Sequence, residues 1–310
     1  MAKNNRVRVG TRGSTLALRQ TEEVIARLQK SHPQLSFETA IIRTQGDANA
    51  TAPLVGMGLG VFVKEIEQQL LSGQIDLAVH SLKDLPTTLP QGLAIGAVLE
   101  RADPRDVQVN RWGCPLLELP AGARIGTSSP RRAAQLQHYC PTVKVVPIRG
   151  NVETRLSKAQ GGECDGAILA AAGLIRLGLT QKITQYLPPE LFVPPPGQGA
   201  LAVEVRADDS RLDQILPSIE HDATRLAITA ERAFLEILGG GCQIPVGAYA
   251  KSDNEVLTLT VFIGSPNGDE VFVSTLQGST HDPAQLASDA HSQLERQGAG
   301  SLLALARTVS

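Results

Sequence analysis

The alternation of apolar and polar positions divides the chain into strand and helix patterns that recur. RVRVG at 6–10 alternates as a short strand and runs through Gly10-Thr11 to Ser14. LALRQTEEVIARLQ then continues as an amphipathic helix, so 6–29 reads as strand, turn, helix. ARIGTSSPRRAAQLQ at 123–137 repeats the device: apolar strand, Gly-Thr, serine, helix. Ser129 followed by Pro130 is a helix start, a side-chain cap and then a proline at the first helical position. A second echo joins SGQIDLAVHSLKDLP (72–86) to GGECDGAILAAAGLIRLG (161–178), each a Gly-x-x-Asp turn into a buried strand. Strands alternating with helices predict parallel sheets built from βα units, hence two similar α/β lobes over 1–100 and 104–195. The Pro- and Gly-rich LFVPPPGQGALAVEVR (191–206) returns the chain to the first lobe as an extra strand, which assigns 197–217 there. Ligands in such folds bind at the carboxyl ends of strands, and two lobes imply a cleft.

The last part has another rhythm. HDATRLAITAERAFLEIL (221–238) is an amphipathic helix with Leu226, Ala230, Ala233, Phe234 and Ile237 on one side. Alternating runs follow at 246–250, 255–263 and 271–276, with an Asn-Gly turn in SPNGDE, and a closing helix spans 283–297. This predicts a small α+β domain over 218–310 with an antiparallel three-stranded sheet.

Composition narrows the class. At 310 residues, two or three domains are expected, and 42% hydrophobic with 19% charged residues is the balance of a soluble globular protein. No apolar run approaches 18 residues and the N-terminus leads into a strand, so neither a transmembrane helix nor a cleaved signal peptide is expected. A net charge of −2 argues against a general nucleic-acid binder. Cys114, Cys140, Cys164 and Cys242 form no CxxC pair, which favours reduced thiols in a cytoplasm. Arginine outnumbers lysine 21 to 8, and 124–176 holds six Arg and two Lys against three acids. That local surplus points to an anion site gripped by planar guanidinium forks.

The candidate chemistry lies at the strand ends. Both Gly-Thr turns place hydroxyls and free backbone N–H groups at a helix N-terminus, beside Arg12, Arg131 and Arg132. AVHSLKDLP carries Lys83 and Asp84 past a buried strand, an acid/base pair or a stabiliser of developing positive charge. PIRGNVETRLSK adds Arg149 and Arg155, six residues apart and thus on roughly one face if helical. With Arg131, Arg132 and Arg176 they make a cradle for a ligand with several carboxylates. LGGGCQIP could be a helix end, a phosphate loop, half of a metal site or a cradle for a reactive thiol. It lacks the Gly-Lys-Ser/Thr ending of a phosphate loop, no motif ties a histidine to Cys242, and no ligands stand at zinc spacing. On the residues alone, a two-lobed binding protein for anionic ligands, without turnover, stays open beside an enzyme.

TRGSTLAL, FVKEIEQQLL, DLAVHSLKDLP, ERADPRD, GTSSPRR, IRGNVETRL, LAAAGLIRLG, PGQGALAVE, ITAERAFL and GGGCQIPVGAYA, in that order, resemble the porphobilinogen deaminase (hydroxymethylbilane synthase) family over essentially the whole chain. The resemblance implies two periplasmic-binding-protein-like lobes and a third domain. It also implies a transferase of tetrapyrrole and haem biosynthesis that condenses four porphobilinogen molecules head to tail, with loss of ammonia, into linear hydroxymethylbilane. It assigns a dipyrromethane cofactor to a thioether on Cys242, catalysis to Asp84, and cofactor contacts to Lys83, Thr127, Ser129, Arg131 and Arg132. Substrate contacts fall to Arg12, Ser14, Arg149, Arg155 and Arg176. The implied partners are porphobilinogen and the growing polypyrrole chain, in a cytoplasmic monomer with no metal, nucleic acid or membrane. Cys242 then becomes an anchor, and the nucleophile is the terminal pyrrole carbon.

One departure stands out. The family usually has Gly-Gly-Lys-Gly ahead of the Phe-x-Lys-Glu helix, whereas here Met57, Gly58, Leu59 and Gly60 precede Phe62. Leu59 removes one positive charge near the polypyrrole carboxylates. Restoring it by Leu59→Lys is expected to raise turnover or shorten the lifetime of intermediate chain lengths; unchanged turnover and intermediate distribution would refute a role for the missing charge.

Overall fold

The structure is a computed structural model that describes residues 5–44, 46, 63–240 and 244–308. Leu59, Gly241 and Cys242 lie outside the described residues. The first lobe comprises β1 (Arg6–Arg12), α1 (Thr15–Ser31), β2 (Ser36–Ile42), α2 (Lys64–Leu71), β3 (Leu77–Ser81) and β4 (Leu93–Val98). Ser14 caps α1, its hydroxyl accepting from the Ala17 N–H at 3.3 Å, and Gln20, Thr21, Val24 and Leu28 bury one helix face. The second lobe comprises β5 (Asp106–Asn110), β6 (Arg124–Gly126), α3 (Pro130–Tyr139), β7 (Lys144–Val146), α4 (Val152–Gln160), β8 (Gly166–Ala170), α5 (Ala171–Arg176) and β9 (Gln185–Tyr186). The chain then returns through β10 (Leu201–Arg206).

The two sheets have the same topology. The first has the order β2-β1-β3-β10-β4 and the second β7-β6-β8-β5-β9. In each, three strands run parallel and the fourth position is antiparallel to its neighbours. That fourth strand is in both cases the one entered just after the chain changes lobe: β5 on the way out, β10 on the way back. The duplication extends to side chains. Asp76 accepts from the Arg8 backbone N–H at 2.7 Å and from its guanidinium at 3.1 Å, while Arg8 Nη2 reaches the Gly73 carbonyl at 2.6 Å. Asp165 takes the same bonds from Arg124 at 2.9 and 3.2 Å, and Arg124 Nη2 reaches Gly162 O at 2.9 Å. The Gly-x-x-Asp echo is therefore a turn whose aspartate holds the neighbouring parallel strand.

Two crossing segments, 99–105 and 193–200, join the lobes, and they touch. A Cβ on Gly199 would lie 2.6 Å from the Ala102 carbonyl, and one on Gly197 3.0 Å from the Lys83 nitrogen. Both glycines also have positive φ, 90° and 76°, so no other residue fits the Gly-Gln-Gly run without strain.

The third unit packs α6 (Asp222–Ile237), α7 (Pro283–Arg296) and α8 (Gly300–Thr308) on the antiparallel sheet of β11 (Val246–Asp253), β12 (Val256–Gly264) and β13 (Val271–Ser279). Pattern and structure agree on this sheet and on α7; α8 is an additional helix whose Leu302, Leu303 and Ala306 join the same core. Glu231, fully buried on α6, joins the third unit to both crossings. Its carboxylate pairs with Arg101 of the first crossing at 2.5 Å and accepts from the Gly197 N–H of the second at 2.7 Å. It also accepts from the Ala250 N–H of β11 at 2.7 Å. Removing one member of a buried ion pair leaves the other unpaired in low dielectric, a cost of about 3–5 kcal/mol. Glu231→Gln is expected to lower the thermal unfolding midpoint substantially; a variant that melts with the parent would show that the junction adds nothing to stability.

Candidate active site

Several of the predicted residues stand just past the carboxyl ends of the parallel strands. β3 ends at Ser81 and turns once through Leu82–Asp84, carrying Lys83 and Asp84. The neighbouring parallel strand β1 ends at Arg12, with Ser14 capping the helix that follows. In the second lobe β6 leads into Thr127 and Ser129. The Thr127 hydroxyl accepts from the Ser129 N–H at 3.1 Å, and the Ser129 hydroxyl accepts from the Arg132 N–H at 3.4 Å. Arg149 does not share a helix with Arg155. Gly150 at φ 113° and the Asn151 cap, whose Oδ1 accepts from the Thr154 N–H at 2.8 Å, start α4 only after it.

Electrostatics show which of these meet. Burial pushes the Lys83 ammonium down to about 8; Asp84 and Asp106 oppose the shift, and Arg132 and Arg155 add to it. Lys83 keeps partial exposure yet is surrounded by protein. Burial also brings Arg155 down to about 10, with Arg132 and Arg149 repelling it and Asp84 attracting it. Lys83 and Asp84 of the first lobe thus lie within electrostatic reach of Arg132 and Arg155 of the second, with Arg149 beside Arg155. Arg12 and Ser14 belong to the same strand-end edge, and Arg176 lies apart from this cluster, at the seam between α1 and α5.

Several of the predicted binding arginines already hold protein carboxylates. Asp106, fully buried at the start of β5, pairs with Arg131 at 2.8 Å and Arg132 at 2.7 Å. Burial works against its ionisation, but the two guanidiniums and Gln198 hold it far below the usual carboxylate range. Arg131 also donates to Val193 O at 2.7 Å and Arg132 to Ile168 O at 3.1 Å. Arg176 pairs with Glu23 at 3.0 Å, and Arg124 with Asp165. The arginine surplus of 124–176 is therefore partly structural.

Sequence reasoning missed Asp106 and Gln198. Gln198 is fully buried; its amide donates to Pro104 O at 2.8 Å and Asp106 at 2.9 Å, and its oxygen accepts from Lys83 Nζ at 3.3 Å. The available signals were an aspartate opening the apolar DVQV run and a glutamine between two glycines. Neither reveals its partners, which lie 25 to 115 residues away.

Residues 7–214 match the family model described as porphobilinogen deaminase, dipyromethane cofactor binding domain, and 225–296 match that of the porphobilinogen deaminase C-terminal domain. The chain belongs to the porphobilinogen deaminase family. It is 48% identical over 300 residues to porphobilinogen deaminase of Brevibacillus brevis, covering 96% of each chain. To that of Desulforudis audaxviator it is again 48% identical over 300 residues, 96% of this chain and 97% of the other. Among solved structures it is similar to a nutrient binding protein from Burkholderia cenocepacia bound to methionine. The TM-score is 0.42 and the identity 14%, over 69% of this chain and 91% of that one.

The residues present fit the cofactor that the family model names. A dipyrromethane carries carboxylates and pyrrole N–H groups, and the cleft offers cations whose mutual repulsion such a ligand relieves, with Asp84 among them. Arg131 Nε is buried without a partner in the protein. Among the described residues no group of three or more His, Cys, Asp or Glu could hold a metal ion, and no helix is long and apolar enough to cross a membrane.

The lowered Lys83 pKa has a measurable sign. Between about 8 and the usual 10.5 the unfolded chain holds a proton that the folded chain has released. Stability therefore rises with pH across that window, and below it the cost of the buried ammonium is present in full. The unfolding free energy of the parent minus that of Lys83→Met, from urea titrations of the ligand-free chain, is expected to be flat below pH 8 and to climb above it. A flat difference throughout would refute the shift.

Proposed function

We propose that this chain condenses four porphobilinogen molecules head to tail, releasing ammonia at each addition, to give linear hydroxymethylbilane. The observation that carries the reading is the half-buried carboxylate of Asp84 beside Lys83, within electrostatic reach of Arg155 and so of the group that Arg155 forms with Arg132 and Arg149, in a porphobilinogen deaminase family member. When bound, dipyrromethane supplies the primer on which the pyrrole chain grows. Cys242 holds it by a thioether, which makes each addition effectively intramolecular.

Each substrate ring carries an acetate and a propionate. Arg149 and Arg155, with Arg12 and Arg176, take these carboxylates in charge-assisted hydrogen bonds. Thr127, Ser129, Lys83, Arg131 and Arg132 line the cofactor side. The ion pairs of Arg131 and Arg132 with Asp106 support this reading, since they orient the two guanidiniums before any ligand arrives. Loss of ammonia from the aminomethyl group leaves positive charge on the substrate pyrrole. Asp84 accepts the pyrrole N–H and stabilises that charge, and it takes up the proton released by the attacking ring carbon and returns it to a departing amine. Lys83, while protonated, places a positive charge beside the Asp84 carboxylate. The third unit, read as 218–310, carries Cys242. Helix α6 leads to it, and the Gly239 and Gly240 N–H groups close that helix end on the carbonyls of Glu236 and Leu235, both at 2.9 Å. The working unit in this reading is a cytoplasmic monomer.

Intact mass spectrometry after expression in a porphobilinogen-producing host is expected to show an adduct of two pyrrole units that Cys242→Ser abolishes. Asp84→Asn is expected to keep the adduct and lose about 100-fold or more in turnover. An unmodified parent chain that binds porphobilinogen without consuming it would favour the two-lobed binding protein instead.

A further inference from the structure

The Arg176–Glu23 pair lies at a seam that the cleft cluster does not use. Helix α1 of the first lobe and α5 of the second meet there: a Cβ on Gly173 would sit 3.6 Å from Leu16 Cδ2. Two helical turns beyond Leu16, Glu23 Oε2 accepts from Arg176 Nε at 3.0 Å. Arg176 Nη2 donates to Gly199 O of the returning crossing at 3.2 Å. One guanidinium thereby ties the second lobe to a helix of the first and to the returning segment that joins them. Its side chain is only 8% exposed, whereas that of Glu23 is 29% exposed.

The geometry of this guanidinium matters for any incoming anion. Nε and Nη2 form one of the two edges on which arginine takes a carboxylate with parallel hydrogen bonds. Here that edge is filled by Glu23 and Gly199 O. A substrate carboxylate that uses it must displace Glu23. The displaced carboxylate is not orphaned, because its other oxygen already accepts from Arg27 Nη2 at 3.1 Å, one helical turn away. Exchange of Arg176 between Glu23 and a ligand therefore leaves no buried charge unpaired.

We propose that Glu23 is a built-in competitor for substrate carboxylates at Arg176, holding the lobes together across the α1–α5 seam until a carboxylate of the substrate or of the growing chain takes its place. This rests on the reading above that Arg176 binds substrate. Glu23 is a positioning residue that lowers apparent affinity: the parent must give up an internal ion pair to bind, and a neutral side chain removes that competition.

The test is steady-state kinetics of porphobilinogen consumption by the cofactor-loaded parent and by Glu23→Gln. The exchange predicts a KM about threefold to fivefold lower in the variant, the range of a partly exposed ion pair, without a parallel rise in kcat. A purely structural pair would lower the melting temperature and leave KM where it was, and a pair that only aims Arg176 at substrate would raise KM; either result overturns the proposal. A parent chain that consumes no porphobilinogen would instead overturn the functional reading on which the proposal stands.

Discussion

The architecture depends on one buried carboxylate. Glu231 comes from the third unit, yet three of its partners belong to three different segments: Arg101 on the outward crossing, Gly197 on the return and Ala250 on β11. A carboxylate that is fully buried tolerates this position only because each oxygen is matched by a donor. The consequence is mechanical. The two connections between the lobes are fixed to each other and to the unit that carries Cys242. Arg101 passes the constraint on through its Nε bond to the Gln198 carbonyl at 2.8 Å. From there the Gln198 side chain reaches Lys83 and Asp106, so junction and cleft are connected by a short run of hydrogen bonds.

A second buried carboxylate sets the character of the cleft. Asp106 neutralises part of the charge of Arg131 and Arg132 and orients both, which lets two guanidiniums sit side by side in the interior. The remaining positive charge, on Lys83 and Arg155 above all, is held at an energetic cost that shows in their lowered proton affinities. A site in that condition favours a ligand with several negative charges. The Arg176–Glu23 pair applies the same logic at the seam, where an internal anion occupies a cation until a better one arrives.

Much of the fold was legible because it rests on local patterns repeated twice. Strand, Gly-Thr, serine cap and helix are short-range features, and their recurrence at 6–29 and 123–137 was enough to give two equivalent lobes. The Gly-x-x-Asp echo was also visible, although its purpose was not: Asp76 and Asp165 each hold an arginine on the adjacent strand, 68 and 41 residues away in sequence. Lys83, Asp84 and the arginines were legible as chemistry-bearing residues, but not which arginines a protein carboxylate already engages.

The sequence by itself determined the class of the elements, the duplication, the third unit and the family, because periodicity, caps and ordered motifs are properties of neighbouring residues. Only the tertiary structure decided the division of labour among the charges. Asp106 meets Arg131 and Arg132 because β5 lies antiparallel beside β8, and Arg176 meets Glu23 because α5 lies on α1. Gln198 reaches Lys83 because Gly197 lets the crossing segment approach it. Charges act through space over a few ångströms, and which ones come that close is set by strand order and lobe packing rather than by distance along the chain.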